Sequence, residues 1–134
     1  MIAPGPQHVN GDLSRQQLVL ILSHDAVAAA LLGGLVETLG YPVRFQHAPE
    51  TAEESVRRVR PRICLVDCDD PRSCQAEFLG RATMRRICVV IFGTARALAR
   101  VRAILMAHDV ETLTMPPRRE VLQLVLQKAG ADSR

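Results

Sequence analysis

Four short apolar runs, separated by amphipathic stretches and each closing on a polar or small residue, constrain this chain more than any other feature. Leu18-Val19-Leu20-Ile21-Leu22 leads into Ser23-His24-Asp25, and Ile63-Cys64-Leu65-Val66 ends in Asp67. Ile87-Cys88-Val89-Val90-Ile91-Phe92 leads into Gly93-Thr94, and a short run around Leu113 closes on Thr114-Met115-Pro116. Runs that are apolar almost throughout suit strands covered on both faces, which is the condition of a parallel sheet. Polar residues that follow such strands gather along one edge, where open α/β folds place ligands and chemistry.

The pattern predicts strands over Gln17 to Leu22, Pro42 to His47, Arg62 to Asp67, Arg86 to Phe92 and Val110 to Thr114. Asp25 is expected to cap a helix running to about Leu39, with Ala29, Leu32, Leu35, Val36 and Leu39 on one stripe and Gly40 as its stop. Gly33-Gly34 weakens that helix by roughly 1 kcal/mol per residue, so close packing is expected there. Pro49 opens a second helix bearing Ala52, Val56 and Val59, which ends before Pro61. Asp69 to Arg81 reads as a poor, short helix at best. A further helix covers Ala95 to Ala107, with Leu98, Val101, Ile104 and Leu105 inward. The last opens at Pro117 and carries Val121, Leu122, Leu124, Val125 and Leu126. Five βα units in succession imply a parallel sheet wrapped by helices through right-handed crossovers.

A chain of 134 residues is one domain's worth. The expected division is a mobile tail over residues 1–15, rich in Pro and Gly, a domain over 16–130 and a short tail over 131–134. No apolar run approaches the ~20 residues of a membrane span, and the N-terminus lacks a basic segment followed by an apolar one, so a cytoplasmic location is expected. The net charge of +3 is modest. The arginines are spread along the chain, at Arg57, Arg58, Arg60 and Arg62, then Arg81, Arg85 and Arg86, then Arg96, Arg100 and Arg102, then Arg118 and Arg119. With one Tyr, three Phe and no Trp to stack on bases, they read as solvated helix faces, and no direct nucleic-acid binding is expected. None of the four cysteines forms a C-x2-C pair. Cys64 and Cys88 read as small strand hydrophobes, while Cys68 and Cys74 flank an acidic loop as candidate exposed thiols.

From about residue 17 to 130 the order and spacing resemble a response-regulator receiver (CheY-like) domain. The resemblance implies a flavodoxin-like three-layer α/β/α fold with a five-stranded parallel sheet in the order 2-1-3-4-5. In that family acidic residues after strands one and three hold Mg²⁺, and the third carboxylate accepts a phosphoryl group. A hydroxyl after strand four and a Lys-Pro after strand five hold the product. Here Asp67 stands at the phosphoacceptor position, and Pro116 keeps the structural proline. Ser23 and His24 replace the acidic pair, with Asp25 just beyond. Gly93 stands at the switch hydroxyl, with Thr94 one residue on. Met115 replaces the lysine, and Thr112 the aromatic that swings with the switch. Mg²⁺ wants several oxygen ligands, and a trianionic group on a carboxylate needs fixed cations, so the same comparison that implies the fold argues against its chemistry. The Thr-Met-Pro-Pro stretch also resembles degenerate receivers that head some flagellar sigma-factor-dependent activators.

The expectation is therefore an atypical receiver, a pseudo-receiver, that works in two-component or phosphorelay signalling by contact with a protein partner, either a sensor kinase or regulator or a second copy. The resemblance implies contact through the face after strand four, showing Arg96, Arg100, Glu111, Arg118 and Arg119. No enzymatic activity, small-molecule substrate or cofactor is expected, with Mg²⁺ doubtful. Two rivals stand beside it. One is a conventional phosphoacceptor using Asp67. The other is a small metal-binding or enzymatic α/β protein using His24, Asp25 and Asp67, with Asp69 and Asp70 as further oxygen donors.

Overall fold

The structure, a computed structural model, describes residues 17–70 and 73–132. The expected N-terminal tail lies outside the described residues. The elements run β1 (Val19–Leu22), α1 (Ala26–Thr38), β2 (Val43–Phe45), α2 (Ala52–Val59), β3 (Ile63–Asp67), α3 (Ala76–Met84), β4 (Cys88–Gly93), α4 (Ala95–Arg100), α5 (Arg102–His108), β5 (Glu111–Thr114) and α6 (Arg119–Asp132). All strand pairs are parallel, in the order β2-β1-β3-β4-β5. The architecture is the flavodoxin-like one that the resemblance implies.

Alternation along the strands splits the core into two layers. Leu20, Leu22, Cys64, Val66 and Ile91 face α2, α3, α4 and α5, meeting Val56, Phe78, Leu79 and Leu98. Val19, Ile21, Ile63, Leu65, Val90 and Phe92 face α1 and α6, meeting Leu32, Val36, Leu122 and Leu126. Full burial of a Leu or Ile of this kind stabilises the fold by about 1.5–3 kcal/mol relative to leaving it exposed.

Local chemistry sets the helix ends. Asp25 Oδ1 accepts the backbone N–H groups of Val27 and Ala28, both at 3.1 Å, and so caps α1 as expected. Gly40, at φ 93°, follows its last turn. Of the two glycines inside α1, only Gly33 has a packing reason: a Cβ there would come 2.5 Å from the Phe45 ring, whereas Gly34 faces open space.

Helix α2 does not open at Pro49. It starts at Ala52, capped by a reciprocal pair in which Thr51 Oγ1 accepts from Glu54 N and Glu54 Oε1 accepts from Thr51 N. It stops at Arg60, in left-handed conformation at φ 54°, just before Pro61. The weak helix expected over Asp69 to Arg81 is a regular one shifted to Ala76–Met84, because Phe78, Leu79 and Ala82 give it a buried face that the polar loop before it obscures. The single helix expected over Ala95 to Ala107 is broken at Val101 into α4 and α5. Pro117 precedes α6 rather than lying in its first turn, and α6 runs on to Asp132, past the expected boundary at Gly130. Val121 and Leu124, expected on its apolar face, are exposed. The edge strand β2 is only three residues long, with Arg44 and Phe45 partly in solvent.

Candidate functional site

Parallel strands in register bring β1, β3 and β4 to a common C-terminal edge, where Leu22 pairs with Val66 and Asp67 with Phe92. Ser23 leaves β1 beside Asp67, and its hydroxyl donates to Asp67 Oδ2 at 2.7 Å. The other carboxylate oxygen accepts the backbone N–H of Asp69 at 2.9 Å. Asp67 is only 9% exposed. Both of its oxygens thus have neutral donors, and among the described residues no Lys or Arg pairs with it.

The remaining candidates fall out differently. His24 Nε2 lies 3.4 Å from Asp70 Oδ2, so its acidic neighbour is Asp70 rather than Asp25 or Asp67. Asp70 is buried and also accepts from Ser73 Oγ at 3.0 Å. Asp25 is spent on the α1 cap. Asp69 pairs with Arg100, at 2.9 Å. Thr94 faces α4 as its cap, its hydroxyl accepting from Ala97 N, so it does not stand in for the missing switch hydroxyl. Met115 packs against the α1/α6 side of the core, and its N–H donates to Gly93 O at 2.8 Å.

Gly93 is the position where side chains compete for space. A Cβ on it would come 2.2 Å from Cys68 Sγ. The Cys68 thiol therefore occupies the room that a switch hydroxyl's carbon would need. Sequence reasoning placed Cys68 and Cys74 as exposed thiols, yet both are buried. Burial pushes the Cys68 thiol up to about 11, with Asp69 and Asp67 adding to the rise. Burial also raises Cys74, helped by Asp67 and Asp70. Such thiols stay protonated at neutral pH and are poor nucleophiles and poor metal ligands. The burial follows from strand register, which the sequence alone does not show: Asp67 pairs with Phe92, so Cys68 meets position 93.

A receiver fold implies Mg²⁺, and the donor set does not suit it. Among the described residues the group whose donor atoms converge is Asp67, Cys68 and Asp69, within 4.8 Å of one another. Its middle member is a soft thiol that a hard oxygen-seeking ion disfavours. Asp25, the acid nearest the missing pair, is turned into a helix cap.

Of the five residues expected on the face after β4, Arg96, Arg118 and Arg119 are exposed. Arg100 is tied to Asp69, and Glu111 to Lys128 at 3.0 Å. No helix among the described residues is long and apolar enough to cross a membrane.

A five-stranded parallel sheet in this order, with an aspartate at the end of its third strand, defines the receiver-domain fold. Solved structures agree with it. The signal receiver domain of an HD domain-containing protein from Pseudomonas fluorescens is 16% identical, with a TM-score of 0.74 over 89% of this chain and 90% of that one. A sensor protein from Polaromonas is 23% identical, with a TM-score of 0.73 over 88% of this chain and 98% of that one. The receiver domain of a sensor histidine kinase from Pseudomonas aeruginosa, solved with magnesium in its active-site cleft, is 24% identical, with a TM-score of 0.71 over 86% of this chain and 98% of that one. No family model matches the sequence, and no curated protein does either. The likeness is one of fold.

Proposed function

We propose that the chain is an atypical receiver module of two-component signalling, cytoplasmic and not an enzyme, that acts by protein contact without accepting a phosphoryl group. The observation that carries this reading is the packing of the Cys68 thiol against Gly93, beside an Asp67 carboxylate whose partners are a hydroxyl and a backbone N–H. A phosphoryl group on Asp67 would meet no fixed cation in this arrangement, and it needs one to offset its charge. The face bearing Arg96, Arg118 and Arg119 is the contact surface this reading favours, since its guanidinium groups are exposed and free of ion pairs among the described residues.

Incubation with acetyl phosphate and Mg²⁺ followed by intact mass measurement tests the reading, and no phosphoryl adduct is expected. An adduct that disappears in Asp67→Asn overturns it in favour of the conventional phosphoacceptor. Reversing charge at Arg96 and Arg119 should weaken self-association or partner capture, measured by light scattering.

A further inference from the structure

The end of the sheet opposite Asp67 plays no part in the reading above. Because β3 and β4 are neighbours and enter the sheet from the same end, the α2–β3 and α3–β4 connections run side by side there. Arg60 and Arg62 come from the first, Arg85 and Arg86 from the second, and Arg57 from the last turn of α2. These five arginines ring one open depression of about 490 Å³, within the size range of small-ligand sites. Its remaining lining is apolar, from Val56, Pro61 and Ile87, and among the described residues no Asp or Glu lines it. Arginines that are spread along the sequence are thus gathered at one place by the topology.

Among the described residues the chain supplies no carboxylate to Arg57, Arg60, Arg85 or Arg86. The α2 carboxylate of Glu53 is paired with Arg81, and Glu50 with Arg58. Arg60 and Arg86 also sit in left-handed backbone, at φ 54° and 60°, a conformation uncommon for any residue with a Cβ. Like charges brought together around a hollow repel one another unless an anion enters. The guanidinium fork matches phosphate oxygens two at a time, and an apolar floor suits a flat ring.

We propose that this depression binds a nucleotide carrying two or more phosphates, independently of Asp67. A nucleic-acid track fits less well. It needs basic charge that continues across the surface together with stacking aromatics, whereas the adjoining groove beyond Arg57 carries Glu53, Glu54 and Glu77.

Titration calorimetry of the full chain with ATP, GTP, AMP and pyrophosphate tests the assignment, with amide-shift mapping as a second readout. The triphosphates are expected to bind, with AMP and pyrophosphate each weaker by about ten-fold or more, the loss that about 1.4 kcal/mol of missing contacts produces. Shifts should concentrate at residues 57–62 and 85–88. The triple change Arg57→Gln, Arg60→Gln, Arg86→Gln should abolish binding, while Arg96→Gln, Arg118→Gln, Arg119→Gln, which removes equal charge elsewhere, should not. Amide spectra test whether both variants fold, and where the triple variant fails to fold the single change Arg57→Gln, in a folded chain, should still weaken binding. Absence of binding, shifts elsewhere, equal loss in both triple variants, or pyrophosphate binding as tightly as ATP would each overturn the proposal. So would tighter binding to a short single-stranded DNA or to phosphatidylglycerol vesicles.

Discussion

The two ends of the sheet differ in how their charge is answered. At the C-terminal end the acids around Asp67 have partners inside the chain: Asp67 has Ser23 and a backbone N–H, Asp69 has Arg100, Asp70 has Ser73, and Glu50 has Arg58. At the N-terminal end Arg57, Arg60, Arg85 and Arg86 line a hollow with no acid in it among the described residues. The acidic cluster around Asp67, where this fold usually carries chemistry, is internally compensated and closely packed, even though Arg96, Arg118 and Arg119 near it are exposed. At the end that usually only anchors strands, Arg57, Arg60, Arg85 and Arg86 have no ion pair among the described residues. Chemical valency is read better from what a cluster lacks than from where the fold customarily places a site.

The largest effect that can break this contrast comes from exchanging glycine and side chain at the two ends. Gly93→Thr should lower stability by about 1–3 kcal/mol, since the new Cβ meets Cys68 Sγ in a packed layer. Adding Cys68→Ala should restore much of that loss. At the other end Arg86→Gly relieves a left-handed φ and should change stability little or raise it by up to about 1 kcal/mol. Urea denaturation of the four chains decides. Equal losses from Gly93→Thr and Arg86→Gly would erase the distinction between a packed end and an open one.

A smaller effect concerns pH. Arg58 beside Glu50, together with the His47 N–H and the Ser55 hydroxyl, holds the Glu50 carboxyl near 2 against an ordinary 4.5. A carboxyl lowered on folding contributes stability that is present above its unfolded value and lost as pH falls through the folded one. The unmodified chain should therefore exceed Glu50→Gln in stability at pH 7, and the gap should close between about pH 4.5 and 2. Both partners are partly in solvent, so the gap at neutral pH is expected to be small and to shrink with added salt. Melting curves across that range measure it. A gap independent of pH would mean that Glu50 acts through packing, and the C-terminal end would not be compensated in the way described.

The smallest effect is expected at Asp67 itself. Asn keeps the shape and one acceptor oxygen for the Asp69 N–H, and the Ser23 hydroxyl can rotate to accept from the new amide. Asp67→Asn should therefore cost no more than about 1 kcal/mol and leave partner binding unchanged. A large loss of binding with intact folding would mark the carboxylate's charge as functional.

Much of this was legible in the chain. The apolar runs fixed the parallel sheet, because burial on both faces leaves few alternatives to near-continuous Val, Ile and Leu. Asp25 and Gly40 marked the ends of α1 by chemistry local to a few residues. What was not legible depends on strand register. Cys68 looks exposed when read beside Asp69 and Asp70, and it becomes buried only because the Phe92 pairing seats it over Gly93. The arginine cluster was missed for the same reason: Arg60 and Arg86 are far apart in sequence and meet only because β3 and β4 are neighbours. Helix α2 starts later than Pro49 suggests for a different cause, since the Thr51-Glu54 capping pair, which begins two residues further on, sets its first turn.

The brevity of β2 bears on how such a domain can associate at all. Three residues at a sheet margin, with a turn after two further residues, present few free backbone groups to template another strand, and Arg44 and Phe45 crowd that margin with bulky side chains. Exposed margins are where proteins most readily zip together by continuing each other's sheets. Here that route is blunted on the β2 side, so assemblies that grow along a shared backbone ladder from that side are disfavoured. Lateral recognition falls instead to helix side chains and loop charges, which can be changed one residue at a time without disturbing the sheet beneath them.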